Sequence, residues 1–337
     1  MDRNMCKISV ITSVYNCEKY IKETIQSVID QTFVDWEFII INDCSRDKSA
    51  DIIKSFHDER IRFFDNETNR GQCDSLNFGI AQAKGKYIAR LDHDDICYPD
   101  RFQKQFEYME SHQDVVLCGA WCDLLQEGDI IKQKCPEVIG AVEVKFSLPF
   151  LNFIAHSSFM IRRSAMIDHN IWYGTWKYAE DFDMLLKMSG VGKVDYIQES
   201  LIAYRVFPEQ CSQTSSYELK FGENNEIRDK YFDSLDLEHK LILKKAGSRE
   251  LSKIKDYKEF IKGLIIYANY CKIDSESKSL KENRCFLRVY RDVCIRQQYN
   301  WALLISYLMS PYRMRHWLLS GDGARFIIKC IIHYRHK

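Results

Sequence analysis

No apolar run in this 337-residue chain reaches the roughly 18–20 residues that a membrane span needs. The longest candidate, Trp301 to Met309, is too short. Neither sign of charge is in excess: Lys and Arg total 48, Asp and Glu total 48, and the formal net charge is +0. Nothing therefore draws the whole chain towards nucleic acid, and any basic surface must be local. The 13 cysteines include no C-x-x-C pair, Cys118 and Cys122 being the closest, so zinc-ligand and dithiol patterns are missing. A secretory leader is not expected either, because Met1 to Lys7 is polar and runs straight into a strand. These absences point to reduced thiols in a cytoplasmic protein. With 46% hydrophobic and 28% charged residues, the composition is globular, which excludes a disordered, collagen-like or disulfide-stapled chain. At roughly 100–200 residues per domain, the length allows about two domains.

What is present is an alternation of short apolar runs with helical patterns. Ile8 to Val14 is rich in β-branched residues and reads as a strand. It is followed by a helical face of Tyr20, Ile21, Ile25, Val28 and Ile29. Further strands are predicted at Glu37 to Ile41, Ile61 to Phe64, Tyr87 to Leu91 and Val115 to Ala120. Helices are predicted from a Ser45 cap to Phe56, from Gln72 to Ala83, and from Pro99 to about Glu110. Four βα units in about 110 residues imply a mainly parallel sheet with helices on both faces. Ligands then sit beyond the carboxyl ends of its strands. From about Ser216 the character changes: Pro311 is the only later proline, and helical patterns such as Leu251, Ile254, Tyr257, Ile261 and Ile265 fill the segment. The expected organisation is an α/β domain over 1–215 and a helical domain over 216–337.

Several constellations fall at the predicted strand ends. Asp92-His93-Asp94-Asp95 follows the fourth strand, and three carboxylates within four residues repel one another. Without a cation, at least one is pushed towards protonation. A hard ion, Mn2+ or Mg2+, would resolve the repulsion and grip phosphate oxygens. Asp43 ends the second strand beside Ser13-Val14-Tyr15-Asn16, where a carboxylate can accept from a base N–H and Tyr15 can flank that base. Arg70, before Gly71, offers a bidentate phosphate contact. Glu180-Asp181-Phe182-Asp183 opens a helix, where acids are stabilised by the dipole and one could serve as a general base. Taken singly, each also has a structural reading as a solvated turn or helix cap. The last 27 residues, from Pro311, carry six basic side chains against Asp322 alone, a local charge of +5. Their interleaved apolar residues suit an interfacial helix on anionic lipid, and equally a basic helix packed on the domain.

The order of these motifs resembles the family 2 glycosyltransferases. The resemblance rests on Ile8 to Asn16, Trp36-Glu37 to Ser45, Asn69-Arg70-Gly71 with Asn77, Gly85-Lys86-Tyr87-Ile88 into Asp92-x-Asp94-Asp95, Pro99-x-Arg101, and Glu180-Asp181, and it covers about residues 6–213. It implies a GT-A fold, dependence on Mn2+ or Mg2+, and transfer with inversion from a nucleotide-sugar, a UDP-sugar first of all. It also implies roles by position. Ser13, Tyr15 and Asp43 would hold the base, with Arg70 nearby. Asp92 and Asp94 would form the metal motif, Asp94 as the direct ligand. Asp181 would be the catalytic base, supported by Glu180. His156-Ser157-Ser158 with Arg162 resembles the acceptor-side strand.

Departures from the family pattern are informative. Ser13 replaces a proline, and Asn42-Asp43-Cys44-Ser45 replaces Asp-Asp-Gly-Ser. Phe207 stands where many relatives carry a histidine able to approach the metal or diphosphate. Either the site uses fewer protein ligands, or Arg205 compensates by binding the diphosphate. No Gln-x-x-Arg-Trp signature of processive synthases follows, so one sugar per event is expected. The resemblance implies capsule, lipopolysaccharide or exopolysaccharide assembly on a saccharide or lipid-linked acceptor. The basic tail from about 311 would touch the inner face of the plasma membrane, and a homo-oligomer is compatible with the helical region. Two other readings are a non-catalytic nucleotide-sugar-binding homologue, favoured by Phe207, and a nucleotidyltransferase. The latter would need a Gly-rich phosphate loop where Ser13-Val14-Tyr15-Asn16 stands.

Overall fold

The predicted alternation becomes one twisted sheet with helices on its faces. A computed structural model of the chain describes residues 6–133, 140–208, 210, 214, 216–273 and 284–297. The elements are β1 (Ile8–Val14), α1 (Ile21–Ile29), β2 (Trp36–Asn42), α2 (Ser49–Lys54), β3 (Ile61–Asp65), α3 (Gln72–Gln82), β4 (Tyr87–Arg90), β5 (Ile96–Cys97), α4 (Arg101–Ser111), β6 (Val115–Gln126), β7 (Asp129–Ile131) and α5 (Ala141–Ser147). After a single 3-10 turn at His156–Ser158 come β8 (Met160–Arg162), α6 (Arg163–Asp168), α7 (Glu180–Val191) and β9 (Lys193–Arg205). The remaining helices are α8 (Tyr217–Ser234), α9 (Lys240–Gly247), α10 (Ile254–Tyr270) and α11 (Arg284–Arg296). Contacts divide the chain into two units. One comprises residues up to Ala141 together with Phe153–Glu223, and the other comprises Val142–Asn152 and residues from Asn224 onward.

In the first unit the strand order is β3-β2-β1-β4-β8-β6-β9-β5, with β7 paired to β6. β3, β2, β1 and β4 are mutually parallel, as are β6 and β9, whereas β8 runs antiparallel to both β4 and β6. Parallel strands covered on both faces are apolar throughout, and every residue of β1 and β2 is buried. On one face α1 packs Ile21, Ile25 and Val28, all fully buried, against Val10, Phe38 and Ile40. On the other, α3 closes tightly at Gly79, where a Cβ would meet Ile41 Cδ1 at 2.6 Å and Ile11 Cγ2 at 2.8 Å.

Two local expectations shift. The second helix begins at Ser49, not at a Ser45 cap. Ser45 Oγ is spent accepting the Asn16 N–H at 3.0 Å, and Asp47 Oδ1 accepts the Ser49 N–H at 2.9 Å instead. His156-Ser157-Ser158 is a 3-10 turn that leads into a strand beginning at Met160, rather than a strand itself.

The second unit is helical and aromatic. α10 presents Tyr257, Phe260, Leu264 and Tyr267 as its fully buried stripe, one step round the helix from the expected Ile261 and Ile265. Arg228 Nε donates to the Pro149 carbonyl at 2.5 Å, and the Tyr267 hydroxyl donates to the Lys145 carbonyl at 3.0 Å. The segment 142–152 is thereby part of this unit. No helix among the described residues is long and apolar enough to cross a membrane. Trp301 to Met309 and the basic tail from 311 lie outside the described residues.

Candidate active site

Parallel pairing sets Val14 beside Asn42 and Ile11 beside Arg90. The residues that follow these strands therefore open on one rim. Two loops there are laced together: Asn16 Oδ1 accepts the Arg46 N–H at 2.8 Å, Glu18 Oε2 accepts the Lys48 N–H at 2.9 Å, and Asp47 Oδ2 accepts the Glu18 N–H at 2.9 Å. Tyr15 stands 42% exposed on this lacework, while Ser13 is buried. Asp43 is buried too. Its Oδ1 accepts Asn66 Nδ2 and the Arg70 N–H, both at 2.9 Å, and its Oδ2 accepts the Gly71 N–H at 2.8 Å. A carboxylate has about four acceptor positions, so roughly one remains for a ligand N–H. Asp43 thus also fixes the 66–71 loop, leaving the Arg70 side chain exposed. Gly71 meets this demand at φ +88°, where side chains are disfavoured.

Beyond β4 the acids are individually wired. Arg90, 1% exposed, pairs its Nη2 with Asp92 Oδ1 at 2.5 Å. Ser157 Oγ lies 2.7 Å from Asp92 Oδ2, accepts the Asp92 N–H at 3.1 Å, and also touches Asp95 Oδ2. One hydroxyl has one proton for two carboxyls, so one of these needs its own. Burial, then the charges of Asp94 and Asp92, push Asp95 well above the carboxylate range. Of the two carboxyls that Ser157 touches, Asp95 is therefore the one that holds a proton more readily. Burial works against ionisation of Asp92 too, but Arg90, followed by His156, Ser157 and His93, outweighs it and holds Asp92 well below the usual range. Asp94 is 6% exposed and raised by burial and by Asp92. The rise of Asp94 and Asp95 agrees with the mutual repulsion expected from their spacing.

Arg205 reaches the same rim from β9. Its N–H donates to Asp95 Oδ1 at 2.8 Å, Nε donates to the Asp94 carbonyl at 2.7 Å, and Nη2 pairs with Glu23 Oε2 at 2.7 Å. Its guanidinium lies 4.4 Å from the centre of the Tyr20 ring, which also packs on Phe207 at 5.0 Å. These groups brace the Asp94 backbone. Among the described residues no side chain donates to the Asp94 carboxylate, and no three His, Cys, Asp or Glu side chains converge into a cation cage. The oxygen donors of Asp94, with Asp92 adjacent, are of the kind that would hold a hard divalent ion.

Glu180 and Asp181 form the first turn of α7. Asp181 is half-buried, and its Oδ1 accepts the Phe182 N–H at 2.7 Å. Glu180 Oε1 stands 3.8 Å from His156 Nδ1, and Oε2 is buried without a hydrogen-bond partner. Burial, then the Asp181 charge, push Glu180 up to about 8, with Asp92 and Arg90 acting on it as well. The structure thus brings the Asp92 and Glu180 motifs into one electrostatic neighbourhood.

Sequence reasoning passed over Arg90 and Glu23. The signal for Arg90 was a lone cation in the apolar run Tyr87 to Leu91, two residues before Asp92 and so on the same strand face.

Comparison with known proteins agrees with this geometry. The profile of "Glycosyl transferase family 2" matches residues 9–169. An uncharacterized glycosyltransferase of Methanocaldococcus jannaschii is 37% identical over 59% of this chain and 70% of its own length. One from Haemophilus influenzae is 30% identical over 63% and 69%. The S. aureus TarS 1–349 structure in complex with UDP-GlcNAc is similar with a TM-score of 0.61 at 16% identity, covering 98% of this chain and 92% of that one. Its complex with UDP gives 0.58. Sheet, helices and rim define a glycosyltransferase of the GT-A type. The chain belongs to glycosyltransferase family 2.

Proposed function

We propose that this enzyme takes one sugar from a nucleoside diphosphate sugar, in the first instance a UDP-sugar, and joins it with inversion to a hydroxyl of a saccharide or lipid-linked saccharide. The observation that supports this reading is the approach of two acidic motifs to one turn, His156 Nδ1 facing Glu180 Oε1 at 3.8 Å and the adjacent Ser157 Oγ lying 2.7 Å from Asp92 Oδ2. The UDP and UDP-GlcNAc bound by TarS support the choice of donor.

Ser13, Tyr15 and Asp43 hold the base, and the exposed Arg70 lies free to meet phosphate. Asp181 takes the proton of the acceptor hydroxyl. The acceptor oxygen forms its bond to the anomeric carbon as the bond to the diphosphate oxygen breaks, and the electron pair leaves with the nucleoside diphosphate on the opposite face. The transition state is oxocarbenium-like, and alignment of two bound substrates supplies much of the acceleration. Mn2+ or Mg2+, held by Asp94 with Asp92 alongside, would offset charge on the diphosphate. Arg90 keeps Asp92 ionised for that purpose. The setting is surface-polysaccharide assembly, with the +5 segment from Pro311 resting on anionic lipid at the inner face of the plasma membrane.

Release of nucleoside diphosphate from a panel of UDP-, GDP- and dTDP-sugars, with and without Mn2+, tests the reading. Asp181→Asn should keep UDP affinity and lose about two orders of magnitude or more in turnover. Near-normal turnover in that variant would remove Asp181 from the role. A silent panel would favour a non-catalytic binding protein.

A further inference from the structure

Behind the α7 carboxylates lies a set of side chains that the chemistry above does not use. Asn77, on α3, grips the backbone of Tyr173 twice: Nδ2 donates to the Tyr173 carbonyl at 2.9 Å, and Oδ1 accepts the Tyr173 N–H at 3.0 Å. Tyr173 is buried, and its hydroxyl meets His156 Nε2 at 2.7 Å. The opposite ring nitrogen, Nδ1, faces Glu180 Oε1 at 3.8 Å. Phe159 covers the imidazole edge-on at 5.1 Å. A side chain that only filled this space would be apolar. Instead each nitrogen of a ring whose side chain is only 9% exposed is aimed at a polar group, one fixed by α3 and the other opening α7. The 3.8 Å gap is longer than a hydrogen bond, as catalytic contacts often are before substrate arrives.

We propose that His156 is a positioning residue for the transfer: anchored through Tyr173 on one nitrogen, it sets with the other the orientation of Glu180, and with it the turn of α7 that carries Asp181. The proposal rests on the reading of Asp181 as base. The two ring nitrogens can be separated by substitution, because a glutamine amide reaches the Nε2 position and an asparagine amide the Nδ1 position. His156→Gln retains the contact with Tyr173 and loses the group facing Glu180; His156→Asn does the reverse.

The test uses the full chain and whichever sugar nucleotide of the panel it turns over, with water as acceptor and nucleoside diphosphate release as readout. His156→Gln should lower kcat by about 10–100-fold, with the donor KM and UDP affinity unchanged within twofold. His156→Asn should recover at least a third of the loss on a logarithmic scale. Tyr173→Phe, which keeps the ring and removes one oxygen, should lower kcat about 3–10-fold with the same unchanged KM. Equal kcat in the Gln and Asn variants, a kcat near wild type in His156→Gln and Tyr173→Phe, or a loss of UDP affinity in all three would overturn the proposal. Asp181→Asn in the same assay separates the two readings. Full turnover there sinks the base assignment, whereas its loss beside unaffected His156 variants sinks the positioning role alone. A panel with no turnover sinks both.

Discussion

Ser157 ties Asp95 to Asp92, its single hydroxyl in reach of both carboxyls and of the Asp92 N–H. Ser157→Ala removes this link and strands a buried N–H and a buried carboxyl. The expected loss is about 1–3 kcal/mol of stability, read from urea midpoints at constant slope. Weaker UDP binding in Mn2+ should accompany it, because Asp92 loses one of its two restraints.

Among Asp92, Asp94 and Asp95, Asp94 is the one whose carboxylate receives no hydrogen bond from another described side chain. UDP binding to the wild type should tighten when Mn2+ replaces EDTA, and in Asp94→Ala that difference should vanish. Calorimetry at both conditions measures it. A Mn2+ effect that survives the substitution would move the ion elsewhere.

Glu180 gives the fold a pH dependence of defined sign. In the unfolded chain it titrates in the ordinary carboxylate range; in the folded protein burial and Asp181 push it up to about 8. Between those values the folded state holds a proton that the unfolded state has lost, so the contribution to stability falls as pH rises through the window and is level above it. Glu180→Gln lacks that proton exchange. Its thermal midpoint relative to wild type should climb from pH 5 to pH 8 and then stay constant.

Cys44 sits at φ 62°, in the left-handed region, where the family pattern has glycine. An L side chain there costs roughly 1–2 kcal/mol, and the extra chain entropy of glycine returns about 0.5–1 kcal/mol. Cys44→Gly should therefore raise stability by up to about 1 kcal/mol, seen as a higher urea midpoint. A lower midpoint would mean that the Cys44 Sγ contact with the Glu67 carbonyl, at 3.6 Å, outweighs the backbone.

β1 to β4, β6 and α1 were legible because apolar spacing specifies them, Ile21, Ile25 and Val28 recurring at helical intervals and all buried, whereas β5, β7, β8 and β9 were not foreseen. The start of α2 was not, since Ser45 as a cap and Ser45 as a partner of Asn16 look identical until the two loops meet. The acidic motifs could be read at their strand ends, but their separate charge states could not. Those depend on Arg90 and Ser157, which come from residues 2 and 65 positions away from Asp92. The expected stripe held at Leu251 and Tyr257, but further along α10 the buried face runs through Phe260, Leu264 and Tyr267 and leaves Ile261 and Ile265 only partly covered.

Arg205 joins Glu23, Asp94 and Asp95, partners 182, 111 and 110 residues away along the chain. Such contacts close only after most of the loop entropy has been spent. A nascent polypeptide that has not yet released β9 from the ribosome therefore has the loops after β1, β2 and β4 in sequence but no brace behind Asp94. The Asp94 backbone is braced only once the last strand of the sheet has docked.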